Sequence, residues 1–84
     1  MHDALVNASA TIGCNCIINS KALVEHHGIV EDHCHISTAA IVNGSAMVRR
    51  GTFIGSNAVM KEAIETKEND FIKAGSLFTG YAND

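Results

Sequence analysis

The sequence is poor in the residues that usually stabilise a small domain. It has no proline and no tryptophan, and only one tyrosine and three phenylalanines among 84 residues. Aromatic side chains bury the largest areas in short domains, so their scarcity makes a conventional compact core hard to build. Hydrophobic residues nevertheless make up 46% of the chain and charged residues only 18%, which excludes an intrinsically disordered protein. We therefore expect one globular domain.

Other absences exclude classes of partner and location. The net charge is −3, and the six Lys and Arg residues are scattered apart from Arg49 and Arg50, so no basic face is available for phosphates. No apolar run approaches the roughly 18 residues of a membrane-spanning helix, and the N-terminal residues Met1 to Leu5 lack the basic-then-apolar order of a signal peptide. The sequence predicts a cytoplasmic protein with no nucleic-acid partner and no membrane partner. An odd number of cysteines, three, predicts free thiols.

What the sequence does contain is a six-residue period. Steps of six from Val6 to Phe78 reach an apolar residue at twelve of thirteen positions, and Thr66 is the one departure. The residue two places before each of these is mostly small, and the residue directly after is mostly polar. Neither the 3.6-residue period of a helix nor the simple alternation of a strand explains this pattern.

A six-residue unit of this kind is typical of a short strand followed by a tight turn. Three units close a triangular coil of 18 residues, and stacked coils place residues 18 apart in register at the roughly 4.8 Å spacing of parallel strands. The sequence therefore predicts an all-β parallel β-helix, a triangular prism of about four to five coils. We expect one domain over 1–84, with regular repeats over 5–60, an irregular charged coil over 61–73 and a terminal repeat over 74–84. For the charged coil, a bulged or looped backbone that blunts an exposed sheet end is favoured over a functional acidic loop.

Two outward-facing columns of this prism are apolar, although they belong to a surface that should meet water. An unbroken apolar column is larger than monomers usually tolerate, and closed homo-oligomers are the usual solution. We predict self-association through one of the two faces and leave open which one. The alternative is a column that packs against an absent domain or against a helix of the same chain, and the sequence contains no candidate helix. The two columns are Leu5, Leu23, Ile41, Val59 and Leu77, and Ile17, His35, Phe53 and Phe71.

From about Leu5 to Phe78, the repeat resembles the hexapeptide-repeat, or isoleucine-patch, family of acyltransferases. The stretch INSKALVEH, which ends at His26, and the stretch HCHIS, which begins at His33, are similar to the branch that acetylates bacterial sugars. That branch includes sialic-acid O-acetyltransferases and acetyltransferases of nucleotide-linked amino sugars. The resemblance implies a left-handed β-helix, a homotrimer with roughly parallel helix axes, and acetyl-CoA as the donor substrate.

Four of the five histidines fall within ten residues, and imidazole is a suitable general base near neutral pH. The resemblance implies that His26 takes a proton from a sugar hydroxyl or amine as that group attacks the thioester of acetyl-CoA. Glu25 and His27 complete the candidate catalytic group. His26 is expected in a turn at a prism corner, where the missing side chain of the next coil's glycine leaves room for a ligand. The residues that the resemblance places against acetyl-CoA are His35, Gly44, Ser56 and Ala74.

Two departures from the family pattern leave the activity open. The family usually has Asp or Glu directly after the catalytic histidine, and this chain has His27. The branch also carries an N-terminal α/β domain that is absent here, and a C-terminal Gly-x-Pro-Ala segment that is represented at best by residues 80–82. We therefore expect an acetyltransferase domain that is either truncated or a stand-alone module. The alternative is a non-catalytic trimeric scaffold or interaction module derived from such an enzyme.

The cysteines and histidines also suggest a zinc site, which we consider the weaker hypothesis. Cys16 and Cys34 belong to one inward column, whereas His35 points outward, so bringing them to one tetrahedral ion would break the repeat. We expect no metal and predict that Cys16 and Cys34 stack as thiols in the core.

Overall fold

The protein is an all-β coil in a computed structural model that describes residues 4–81. Strands of two residues follow one another every six residues, and the repeat at 65–66 is the one that forms no regular strand within this range. The strands are β1 (Leu5–Val6), β2 (Thr11–Ile12), β3 (Ile17–Ile18), β4 (Leu23–Val24), β5 (Ile29–Val30), β6 (His35–Ile36), β7 (Ile41–Val42), β8 (Met47–Val48), β9 (Phe53–Ile54), β10 (Val59–Met60), β11 (Phe71–Ile72) and β12 (Leu77–Phe78). The expectations about residues 1–3 and about residues 82–84 of the terminal repeat lie outside the described residues.

Every third strand joins the same parallel sheet, so the chain winds around three faces. Sheet A has the order β1-β4-β7-β10-β12, sheet B the order β2-β5-β8, and sheet C the order β3-β6-β9-β11. Partner residues are always 18 apart, as in Leu23 with Ile41 and Ile36 with Ile54. The predicted all-β parallel β-helix with three repeats per coil is confirmed.

The corners between the sheets share one backbone conformation. The third residue after each inward aliphatic residue has positive φ, from Ser9 at 62° to Gly75 at 71°. At most of these turns the N–H of the next residue donates across the turn, as Gly28 does to the Glu25 carbonyl at 3.0 Å. Only Gly51 and Gly75 among these positions are glycines. A non-glycine residue in this conformation costs roughly 1–2 kcal/mol, so the hydrogen bonds between coils must stabilise the turns.

The core is a narrow column of aliphatic and small side chains. In the middle coils, Val24, Ile36, Val42 and Ile54 have no exposed surface, and alanines fill most of the small positions. A coil this narrow has little room for large rings, which accounts for the scarcity of aromatic residues. Cys34 is buried and Cys16 is partly buried against the same core, in agreement with the predicted inward column.

The charged coil keeps the 18-residue register and loses only regular pairing in its middle repeat. Met47 and Glu65 form an isolated parallel bridge. The departing residue of the repeat, Thr66, is buried with 2% exposure. Its hydroxyl accepts the N–H of Arg49 at 2.8 Å, whereas the N–H of Glu31 in the coil before donates to a backbone carbonyl, that of Val48. A side-chain oxygen therefore replaces a carbonyl in the hydrogen-bonding ladder at this point.

Both predicted outward columns are present in register. On sheet A, the end members Leu5 and Leu77 are 54% and 66% exposed. On sheet C, the ring of Phe71 is 69% exposed and stacks on Phe53 with centroids 5.2 Å apart. Each of these two faces therefore offers apolar surface to a partner.

Candidate functional site

His26 lies at the corner that joins sheet A to sheet B. Val24 points into the core, and the chain then turns through Glu25, His26 and His27 before it reaches Gly28. A Cβ atom on Gly28 would lie 2.9 Å from Cγ1 of Val24, so a larger residue at this position would require the Val24 side chain to shift. The His26 carbonyl accepts the N–H of Ser45 from the next coil at 3.0 Å. The backbone at the corner is therefore fixed on both sides, while the imidazole is 65% exposed.

An open groove of about 430 Å³ lies beside this imidazole. Gly44 is the residue stacked on His26 in the next coil, and a Cβ atom there would meet only the His26 carbonyl oxygen, at 3.4 Å. The absence of a side chain at Gly44 leaves open space at this corner. The groove is lined by Glu25, His26, Asn43, Gly44, Lys61, Glu62, Leu77 and Thr79.

The groove contains five residues that were not predicted from the sequence as site residues. Asn43 and Lys61 lie 18 and 36 residues after Glu25, and Glu62 lies 36 after His26. Steps of one coil from the Glu-His pair would have found these three, and Thr79 also lies one coil after Lys61. Leu77 was predicted only as a member of the outward column. The polar lining is mixed in charge, with one lysine and two glutamates.

Glu25 and His26 face the same groove, although neighbouring residues within a strand point to opposite sides. The turn begins directly after Glu25, so alternation ends there and both side chains reach the corner. Glu25 Oε1 lies 4.0 Å from His26 Nδ1. This separation is longer than a hydrogen bond. His27, with φ of 59°, is exposed and is not part of the groove lining.

The candidate acetyl-CoA residues other than Gly44 lie away from the groove. His35 is on sheet C, where Nδ2 of Asn19 contacts its Nε2 at 2.9 Å and its ring packs edge-on against Phe53 at 5.0 Å. Ser56 and Ala74 stack at the corner between sheets C and A, where the Ser56 carbonyl accepts the N–H of Gly75. One chain therefore presents the candidate residues in two separate groups.

The corner between sheets B and C has a different electrostatic character. Arg49 bridges two carboxylates, with Nη2 2.6 Å from Glu65 Oε1 and Nη1 3.3 Å from Glu31 Oε2. Donation to Glu65, together with the charges of Glu65 and Glu31, raises the pKa of Arg49 above its ordinary value. Arg49 thus forms ion pairs with both glutamates, and the three side chains are partly exposed to water.

Two of the three cysteine thiols hydrogen-bond to backbone carbonyls. Cys16 Sγ donates to the Glu31 carbonyl at 3.0 Å, and Cys34 Sγ donates to the Arg49 carbonyl at 3.1 Å. Burial raises the pKa of Cys34, which keeps it a thiol near neutral pH. Within residues 4–81, no three His, Cys, Asp or Glu side chains are grouped in a way that could hold a metal ion. The same residues contain no helix that could cross a membrane.

Comparisons with known proteins agree with the fold and with the repeat. No protein-family model matches the chain. The chain is 31% identical over 75 residues to the bifunctional protein GlmU of Jannaschia sp. (strain CCS1). The matched region covers 89% of this chain and 16% of GlmU. Among solved structures, the acetyltransferase domain of PglB from Neisseria gonorrhoeae FA1090 matches with a TM-score of 0.64 and 23% identity, over 98% of this chain and 49% of that one. The chain thus spans half or less of the length of these relatives. Its confirmed six-residue coils agree with the pattern of the hexapeptide-repeat, or isoleucine-patch, family that its sequence resembles.

Proposed function

We propose that the chain is an acyl-CoA-dependent acyltransferase domain in which His26 is the general base. The observation that carries the proposal is the groove at the first corner, where an exposed imidazole and a carboxylate lie beside the open space left by Gly44. The resemblance to sugar acetyltransferases and the structural likeness to an acetyltransferase domain support acetyl transfer as the reaction. The proposed donor is acetyl-CoA, and the proposed acceptor is a hydroxyl or amine of a sugar-like molecule.

The chemistry needs only one proton acceptor at this corner. In the proposed reaction, His26 removes the proton of the acceptor hydroxyl or amine as its oxygen or nitrogen attacks the thioester carbonyl carbon. The new bond to the acetyl group forms, the carbon–sulfur bond breaks, and the departing thiolate takes the proton back from His26 as free CoA. Such base catalysis contributes about 10²–10⁴-fold to a rate.

The proposed active unit is a homotrimer with sites between chains. His35, Ser56 and Ala74 lie on sheet C and its following corner, away from the His26 groove of their own chain. A neighbouring copy that presents its sheet C to this corner would bring the two groups together. The exposed apolar columns of sheets A and C supply surfaces for that contact.

Calorimetric titration of the chain with acetyl-CoA tests the proposal. We expect saturable binding, and we expect His26→Ala to keep binding while transfer to an amino-sugar or sialic-acid acceptor falls about 100-fold or more. His33→Ala is the matched control, because His33 is an exposed histidine at a different corner and should leave both properties unchanged. No binding at millimolar acetyl-CoA would contradict the enzyme and favour the non-catalytic scaffold.

Analytical ultracentrifugation tests the assembly. Leu23→Glu and Ile41→Glu place charges in the middle of the sheet A column, and we expect each to dissociate the trimer. Ile29→Glu on sheet B is the control, since that residue is also half-buried and faces outward but lies on the third face. A trimer that survives both sheet A changes would show that this column is not the interface.

A further inference from the structure

An amide from the first coil holds the carboxylate that lies next to His26. Asn7 and Glu25 occupy equivalent positions in successive coils, directly after the inward residues of β1 and β4. The parallel register therefore stacks the two side chains. Nδ2 of Asn7 donates to Oε1 of Glu25 at 2.6 Å, and that same oxygen is the one 4.0 Å from Nδ1 of His26. Two contacts thus converge on one carboxylate oxygen.

The nature of this donor matters, because an amide orients a carboxylate without neutralising it. The equivalent glutamate at the next corner, Glu31, is instead paired with the guanidinium of Arg49 at 3.3 Å. Among residues 4–81, His26 is the only basic side chain within 4.0 Å of the Glu25 carboxylate. Asn7 therefore orients the Glu25 carboxylate, and the basic side chain nearest to its negative charge is that of His26.

The position of the carboxylate decides which imidazole nitrogen carries the proton. A carboxylate beside Nδ1 favours the tautomer with the proton on Nδ1, so Nε2 keeps the lone pair that a general base needs. An imidazole without a charged neighbour has no tautomer preference imposed on it by its surroundings. In this chain the carboxylate precedes the histidine, and His27 stands after it.

We propose that Asn7 is a positioning residue for the base: it aims the Glu25 carboxylate at Nδ1 of His26, so that Nε2 presents its lone pair for proton abstraction. This inference rests on the proposed function of His26. The first coil thereby contributes to the site without lining the groove.

Long-range ¹H–¹⁵N spectra of the histidine side chains test the proposal on the full chain without any substrate. With the His26 signal assigned by its loss in His26→Gln, we expect the neutral ring to be mainly protonated on Nδ1. Asn7→Ala and Glu25→Gln should each lower that fraction at least twofold. Glu31→Gln, the same change at the next corner, is the control and should leave it unchanged. An unaltered tautomer ratio in a folded Asn7→Ala protein overturns the proposal.

A second variant covers the case in which Asn7→Ala fails to fold. Asn7→Asp keeps the size of the side chain, but its ionised carboxylate has no hydrogen to donate and repels Glu25. We expect the same loss of the Nδ1-protonated form, and a ratio equal to that of the unaltered chain overturns the assignment.

Kinetics separate this inference from the proposed function. In a chain that transfers acetyl groups, Asn7→Ala should lower kcat on the order of tenfold and leave the KM for acetyl-CoA unchanged, since the amide acts only through the base. An unchanged kcat overturns the positioning role. A chain without transferase activity that still shows the Asn7-dependent tautomer refutes acetyl transfer, while the assigned effect of Asn7 on the ring stands.

Discussion

The middle coils and the charged last coil follow the same backbone path with different chemistry. In the middle coils, the inward positions are aliphatic or small and almost fully buried, and each strand pairs with the one 18 residues on. In the last coil, Thr66, Asp70 and Ile64 replace those residues and one strand is reduced to a bridge. The turns at Ala63 and Asn69 nevertheless keep their positive φ and their bonds to the coil before.

The difference shows how the repeat fold is retained when polar residues occupy inward positions. Thr52 Oγ1 donates its one hydrogen to the Lys67 carbonyl at 3.0 Å, so the 3.1 Å contact between the two threonine hydroxyls takes its hydrogen from Thr66. Thr66 also accepts the N–H of Arg49. Both threonine hydroxyls are therefore hydrogen-bonded, and the core accommodates these polar side chains because each has hydrogen-bond partners.

The largest expected contrast is in the apolar core. Ile36→Ala removes a fully buried side chain from the middle coils, and we expect it to lower the free energy of unfolding by about 2–5 kcal/mol. Ile64→Ala removes the same group from a half-buried position in the last coil and should cost about half as much or less, because the site is partly open to water. Urea denaturation of both variants measures the contrast. Equal losses would show that the two regions are packed alike.

A smaller loss of stability is expected from a substitution at the buried polar position, Thr66. Thr66→Val keeps the shape of the side chain but leaves the partly buried N–H of Arg49 without its acceptor, which should cost about 1–3 kcal/mol. Thr38→Val, at an exposed position in a middle coil, is the control and should change stability little. The same denaturation experiment applies. A stable Thr66→Val protein would mean that the backbone of the last coil relaxes into the regular ladder.

The smallest effect concerns the end of the last coil, where Tyr81 donates to Asp70. This bond raises the pKa of Tyr81 to about 12. For Asp70, burial acts to raise the pKa, but the hydrogen bonds from Tyr81 and from the N–H groups of Lys67 and Phe71 outweigh it and lower the pKa. The pair should therefore stabilise the fold below the ordinary tyrosine pKa of about 10, and this gain is lost as the pH rises through about 12. It is also lost in acid, as the pH falls through the lowered pKa of Asp70.

Tyr81→Phe tests this bond and keeps the ring against Phe78 and beneath Lys67. We expect a loss of less than about 1 kcal/mol near neutral pH, because the pair is exposed to water. The difference in Tm between the two proteins should shrink at strongly acidic and strongly alkaline pH. A difference that stays constant with pH would exclude the hydrogen bond as its source.

The six-residue period allowed much of the fold to be predicted because it carries the register itself. Once Val6, Val24 and Val42 are placed inward, the strands, sheets and outward columns follow from simple counting. The shared corner of His26 and Gly44 also followed, since they are 18 residues apart. The convergence of Glu25 and His26 did not follow, because strand alternation stops where the turn begins.

By itself, the sequence determined a parallel β-helix with a narrow aliphatic core and a histidine at a corner, since each of these depends on a period along the chain. Only the tertiary structure decided which side chains meet across coils: Asn7 with Glu25, Thr52 with Thr66, and Arg49 between two glutamates. The physical reason is that stacking fixes which residues are neighbours, whereas the rotamers at each corner decide which of those neighbours form a bond.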